Sequence, residues 1–273
     1  MKYRLALVNY LNSVPLGWGF TEGPYHEVFD LTQALPSACA DRLQGGEAHI
    51  GLIPAIEYAR VPGLKVVPNV AIASRQRVRS ILLISRRPIE SVGRVAVDTS
   101  SRTSVALLRV LLSHFYGTPA EFTPHPPDLE AMLAGHDAAL IIGDPALRLY
   151  DAGYRPGPAP AAGGYRVYDL VEEWRRFTGR PFVFAFWALR PEVELGDRVR
   201  LFEKSKRLGL ANLDVIVRRH AQLMGLPAEV LRQYLTECVS YDLDAENLDG
   251  LAEFYRLAHG LAIIDHPAAL QFA

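Results

Sequence analysis

Apolar residues along this chain come in short runs separated by amphipathic stretches. Runs at Tyr3–Val8, Val28–Ala34, His49–Ile53, Lys65–Ala73 and Arg79–Ser85 read as strands. Arg94–Val97, Ala138–Ile142, Tyr165–Tyr168 and Phe182–Leu189 follow. Several are apolar at nearly every position, the pattern of strands covered on both faces. Helical stretches lie between them. Ser37 is placed to cap a helix through Gln44, which Gly45-Gly46 ends. Val105, Leu108, Leu111 and Leu112 mark the apolar face of a helix from Ser104 to Phe115. Alternating strand and helix predicts an α/β protein with mostly parallel sheet.

Beyond Pro191 the pattern turns almost entirely helical. Leu201, Leu208, Leu213 and Val217 recur among charges over Leu195–Gly225, and Leu226-Pro227-Ala228-Glu229 opens another helix. Asp244 is placed to cap a last helix carrying Leu248, Leu251, Phe254 and Leu257, with a short strand at Val239–Leu243 before it. Asp151–Gly164, rich in Gly and Pro, reads as a surface loop. The strands Arg79–Ser85 and Phe182–Leu189 bracket an α/β block of about domain size. Strands that leave and re-enter a first domain are the connection pattern of a two-lobed molecule with its ligand in the cleft. The expected lobes are 1–82 plus 186–273, and 83–185.

Composition narrows the class. The 273 residues include 29 Lys+Arg against 30 Asp+Glu, and 49% are hydrophobic. That is a globular chain rather than a disordered one. A near-neutral balance lacks the basic excess that non-specific nucleic-acid binding requires. The two cysteines, Cys39 and Cys238, make no disulfide framework. Leu5–Val8 is shorter than the apolar region of a signal peptide, and no apolar run approaches the ~20 residues of a membrane helix. A soluble cytoplasmic protein is expected, with no nucleic-acid or membrane partner; whether it is a monomer or a homodimer stays open.

Candidate chemistry gathers where strands run into helices, the place where α/β folds bind ligands. Asn12 and Ser13 in Asn9–Leu16 either meet a ligand or cap the next helix. Gly51–Tyr58 makes a similar turn with Pro54, and with Glu57 as the one nearby acid. Asp98-Thr99-Ser100-Ser101-Arg102-Thr103-Ser104 crowds hydroxyls at a helix start. A cap uses one hydroxyl, so this turn favours an anion site at Thr99, Ser101, Arg102, Thr103 and Ser104. Gly143 lets a ligand approach the backbone closely, while Asp144 is equally a helix cap. The basic run Arg75–Ser80 is either a solvated loop or the source of a buried cleft arginine. Phosphate-loop, dinucleotide and nucleophile-elbow motifs are absent, and the eight histidines are scattered without metal-ligand spacing.

Tyr10–Leu16, Gly51–Tyr58, Asp98–Val105 and Leu140–Leu147, in this order, resemble the chorismate dehydratases of the futalosine route to menaquinone. The resemblance spans essentially the whole chain. It implies a type II periplasmic-binding-protein-like fold used as a cytoplasmic lyase. The implied reaction converts chorismate to 3-[(1-carboxyvinyl)oxy]benzoate and water, with no metal or organic cofactor. It carries a catalytic Asn onto Asn12 and a catalytic or substrate-orienting Ser onto Ser80, with Ser85 in the same strand as the alternative. The later, naphthoate-ring-forming enzyme of that route has a related fold but opens on a Pro-Cys-Pro-Asn-Asp type of segment; Tyr10-Leu11-Asn12-Ser13 stands here instead. Two non-catalytic classes share the fold. A transport solute-binding protein would carry an export signal or lipid anchor. A transcription regulator would carry a helix-turn-helix segment. The expectation is therefore an enzyme.

Overall fold

A computed structural model describes residues 2–273. Its strands are β1 (Arg4–Val8), β2 (Asp30–Ala34), β3 (Ile50–Pro54), β4 (Lys65–Ser74) and β5 (Ile81–Ser85). Then come β6 (Arg94–Asp98), β7 (Glu121–His125), β8 (Ala138–Ile142), β9 (Arg166–Asp169) and β10 (Phe182–Leu189). The helices are α1 (Val14–Thr21), α2 (Pro36–Gln44), α3 (Ala55–Tyr58), α4 (Thr103–Val110), α5 (Leu129–Ala134) and α6 (Gly143–Asp151). After them lie α7 (Leu170–Thr178), α8 (Arg200–Ala211), α9 (Leu213–Met224), α10 (Ala228–Gln233) and α11 (Ala245–Gly260). None of the described helices is long and apolar enough to cross a membrane.

The strands form two five-stranded sheets, ordered β2-β1-β3-β10-β4 and β7-β6-β8-β5-β9. β3, β5, β8 and β10 are buried at every position, whereas β2 and β7 lie at sheet edges and mix half-buried with exposed positions. The chain passes from the first sheet to the second between β4 and β5 and returns between β9 and β10. The expected lobe boundaries at 82/83 and 185/186 fall inside β5 and β10, so we place the crossings in the segments just before those strands.

The sheets are mixed rather than mostly parallel. β1 pairs parallel with β2 and β3, and β6 pairs parallel with β7 and β8. The crossing strands run the other way: β10 is antiparallel to β3 and β4, and β5 to β8 and β9. A strand that enters a sheet from the other lobe arrives from the opposite end, which sets this direction. Three local expectations also change. Pro36 begins α2 after Leu35, so Ser37 lies inside the helix. The helix from Thr103 relaxes into a π-helical turn at Leu111–Phe115. At Val239–Leu243 the backbone makes a single bridge, Ser240 to Ala73, rather than a strand. Asp244 does cap α11, its carboxylate accepting from the Asn247 N–H at 3.0 Å.

Candidate active site

The carboxyl ends of strands from both sheets meet at one cavity. Its empty space, open solvent at the mouth included, is about 510 Å³. The expected residues Asn12, Pro54, Ser80, Ser101, Arg102, Thr103, Ser104 and Gly143 all line it. Ile72, Ile81, Ile142 and Phe184 give it apolar walls. Ser13, Thr99 and Asp144 lie outside that lining.

After β1 the chain turns through a 3₁₀ segment, Leu11–Ser13, into α1. Ser13 stands at the cap position, yet its hydroxyl donates backward to the Tyr10 carbonyl at 2.7 Å and to that of Val8. Those bonds tighten the turn that carries Asn12. Asp144 lies in the first turn of α6 without capping it; its carboxylate accepts the Leu11 N–H at 3.0 Å. It thus anchors the same turn from the opposite lobe. Burial pushes the Asp144 carboxyl above the usual carboxylate range, partly offset by that N–H and by Arg148.

Gly143 has φ +65°, and a Cβ there would meet the Tyr10 ring at 2.6 Å. Only glycine suits both the left-handed backbone and the close approach. The Tyr10 hydroxyl crosses the cleft to Ser100 Oγ at 2.9 Å, and Ser100 in turn donates to Asp98 Oδ1 at 2.7 Å. Burial pushes the Tyr10 phenol up to about 12, and Ser100 opposes that shift.

The hydroxyl-rich turn divides by partner. Thr99 is exposed. Thr103 Oγ1 accepts the Ile56 N–H at 3.2 Å, joining the start of α4 to α3. Ser101 Oγ is buried on the cavity wall without a protein partner. No described side chain caps α4, whose first residues, Thr103 and Ser104, line the cavity. Arg102 is bound elsewhere. Its guanidinium meets Glu57 at 2.9 Å and both oxygens of Asp41 at 2.7 and 2.9 Å, across the cleft. Glu57, the one acid beside the Pro54 turn, is buried between Arg60 and Arg102.

Ser80 lies on the crossing into β5. Its carbonyl accepts the Gly143 N–H at 2.8 Å, and its Oγ is 2.8 Å from the Tyr234 hydroxyl. The preceding residues are held by the buried Asp169 carboxylate, which accepts from Val78 and Arg79 N–H at 2.8 and 2.7 Å. Arg79 has φ +59°, a strained value for a non-glycine residue. It is buried over the Tyr150 ring rather than on the cavity wall. Ser85 sits at the far end of β5 with its hydroxyl on the Arg87 carbonyl, so the serine at the cavity is Ser80.

The family model for menaquinone biosynthesis matches residues 3–260. The chain belongs to this family. It is 31% identical over 264 residues to the chorismate dehydratase of Thermus thermophilus, spanning 92% of this chain and 93% of that one. Among solved structures, a protein of Archaeoglobus fulgidus superposes with TM-score 0.75 at 17% identity, covering 96% of this chain and 98% of that one. The alkanesulfonate-binding protein of Xanthomonas axonopodis pv. citri does so with TM-score 0.67 at 16% identity, covering 98% and 95%. These likenesses place this family member in the periplasmic-binding-protein-like fold.

Two residues of the candidate site in this family member carry no signal of their own in the sequence. Tyr10 opens the Tyr10–Leu16 segment, but its span to Ser100 depends on lobe packing. Tyr234 carried no motif at all.

Proposed function

We propose that this protein is a chorismate dehydratase, converting chorismate to 3-[(1-carboxyvinyl)oxy]benzoate and water. The observation that carries this reading is the character of the cavity wall: uncharged donors, Asn12, Ser80, Ser101 and Ser104, beside an uncapped helix start. Among the described residues lining it, none bears a carboxylate, imidazole or amine, and the one guanidinium is paired with Asp41 and Glu57. Such a wall suits a dianion that is to be oriented rather than attacked.

The chemistry needs little more. Proton loss from C3 places the C–H electron pair in a new C3–C4 double bond, and the C4 hydroxyl leaves, making the ring aromatic. The ring carboxylate acidifies C3–H through the conjugated double bond, so donors on that carboxylate stabilise developing charge. Ser101 and the start of α4 would hold it, with Ser104 beside them. The substrate's own enolpyruvyl carboxylate is the base, held in near-attack geometry by the closed lobes. Asn12 and Ser80 orient the reacting edge and assist hydroxide departure; proton and hydroxide leave as water.

Incubating the protein with chorismate should generate a new aromatic absorbance and a product one water lighter. Asn12→Ala should abolish it. No dehydrated product from the folded wild-type protein would overturn the reading.

A further inference from the structure

Ser80 and Asn12 reach the cavity from separate stretches of chain, and behind Ser80 lies one buried phenol. Tyr234 stands where α10 gives way to a π-helical turn, Tyr234–Cys238, and is 1% exposed. Such turns recur at functional sites. Its hydroxyl lies 2.8 Å from Ser80 Oγ, and the Asn12 side chain is near enough to ease its ionisation. Tyr234 does not line the cavity, so it meets substrate only through these two residues. Burial raises its pKa far above neutrality, with Ser80 opposing, which keeps the O–H in place as a donor.

A serine hydroxyl rotates freely unless a partner fixes it, and an asparagine amide turns about its last torsion. A tyrosine hydroxyl has one proton to donate and accepts in return. If the Asn12 N–H donates to the phenol oxygen and the phenol donates to Ser80 Oγ, the Ser80 proton is left for the cavity. The second Asn12 N–H is then free for the leaving hydroxyl. Hydrogen bonds in such a chain polarise one another as charge builds on the substrate. Resting on the chorismate reading above, we propose that Tyr234 is a positioning residue for the dehydration, aiming the Ser80 hydroxyl and the Asn12 amide at the substrate.

Tyr234→Phe removes the oxygen and keeps the ring. It should lower kcat about tenfold to a hundredfold while KM stays within about twofold. Ser80→Ala with Tyr234→Phe should cost less than the sum of the two single changes, because part of the phenol's effect passes through the serine. A purely structural tyrosine would instead lower the melting midpoint, leave kcat per folded molecule unchanged, and add fully to Ser80→Ala. Any of the last two results overturns the proposal. A second readout needs no turnover. In isotope-labelled protein the Asn12 side-chain amide signal, assigned by its loss in Asn12→Asp, should shift in Tyr234→Phe. An unmoved signal overturns the proposal as well. If the wild-type protein leaves chorismate intact, the functional reading falls, and the amide signal still decides the role of Tyr234.

Discussion

Ser101 and Thr103 stand in one turn yet meet different partners. Ser101 Oγ is buried at the cavity with no protein partner, so Ser101→Ala should raise KM for chorismate about tenfold and leave the melting midpoint in place. Thr103 Oγ1 holds the Ile56 N–H, and Thr103→Val leaves that donor buried and alone. Denaturant unfolding should show a loss of about 1–3 kcal/mol. Asp144 gives a pH-dependent case. Its folded value lies above the ordinary 3.8, so the carboxyl binds its proton more tightly folded than unfolded. Its contribution to stability is full below the unfolded value and is lost as pH rises through the folded one. Asp144→Asn keeps an acceptor for Leu11 and removes the buried charge. Its melting midpoint should gain on wild type as pH rises from 4 toward 7, by roughly a few degrees; a constant difference across that range would contradict the assignment. The crowding of hydroxyls in this turn was legible from residue type alone. Which of them faces a ligand was not, because the competing partner of Thr103 lies on another lobe. Tyr234 was harder still, since its partner Ser80 is 154 positions away.

Helix α1 follows directly from the Asn12 turn, and α8 fixes its position. A Cβ on Gly209 would overlap the Pro15 carbonyl, and Ser205 Oγ donates to the Leu16 carbonyl at 2.7 Å. Gly209→Ala should push the two helices apart, costing about 1–3 kcal/mol and lowering turnover with stability, because the displaced α1 carries Asn12 with it. Parallel measurement of unfolding and kcat checks the coupling. Strands with continuous apolar runs, such as Ala138–Ile142 and Phe182–Leu189, were readable to the residue because burial on both faces leaves no polar position. β7 escaped notice. It is an edge strand holding Pro124, with exposed Glu121, so it lacks both an apolar run and clean alternation. Strand direction was not readable either, since it depends on which lobe the chain has just left.

The lobes are tied across the cleft by Arg102 to Asp41 and Glu57, Tyr10 to Ser100, Thr103 to Ile56, and Asp144 to Leu11. We propose that these contacts strengthen as the lobes close over a ligand. Small-angle scattering should show compaction when a 3-alkoxybenzoate is added, and Arg102→Ala should require more ligand to reach the same dimensions. Equal response of wild type and variant would remove Arg102 from the closing contacts. The two-lobed plan was legible because two apolar strands bracketed a domain-sized block, whereas the contacts that tie the lobes involve pairs far apart in sequence. The residues described on the cavity wall offer donors and no carboxylate, imidazole or amine base. Turnover of chorismate beside that of its enolpyruvyl methyl ester tests that arrangement most directly. Chorismate should yield an aromatic product one water lighter, while the ester, its internal base masked, competes for binding and is not dehydrated. Dehydration of the ester at a comparable rate, or no product from chorismate, would contradict it.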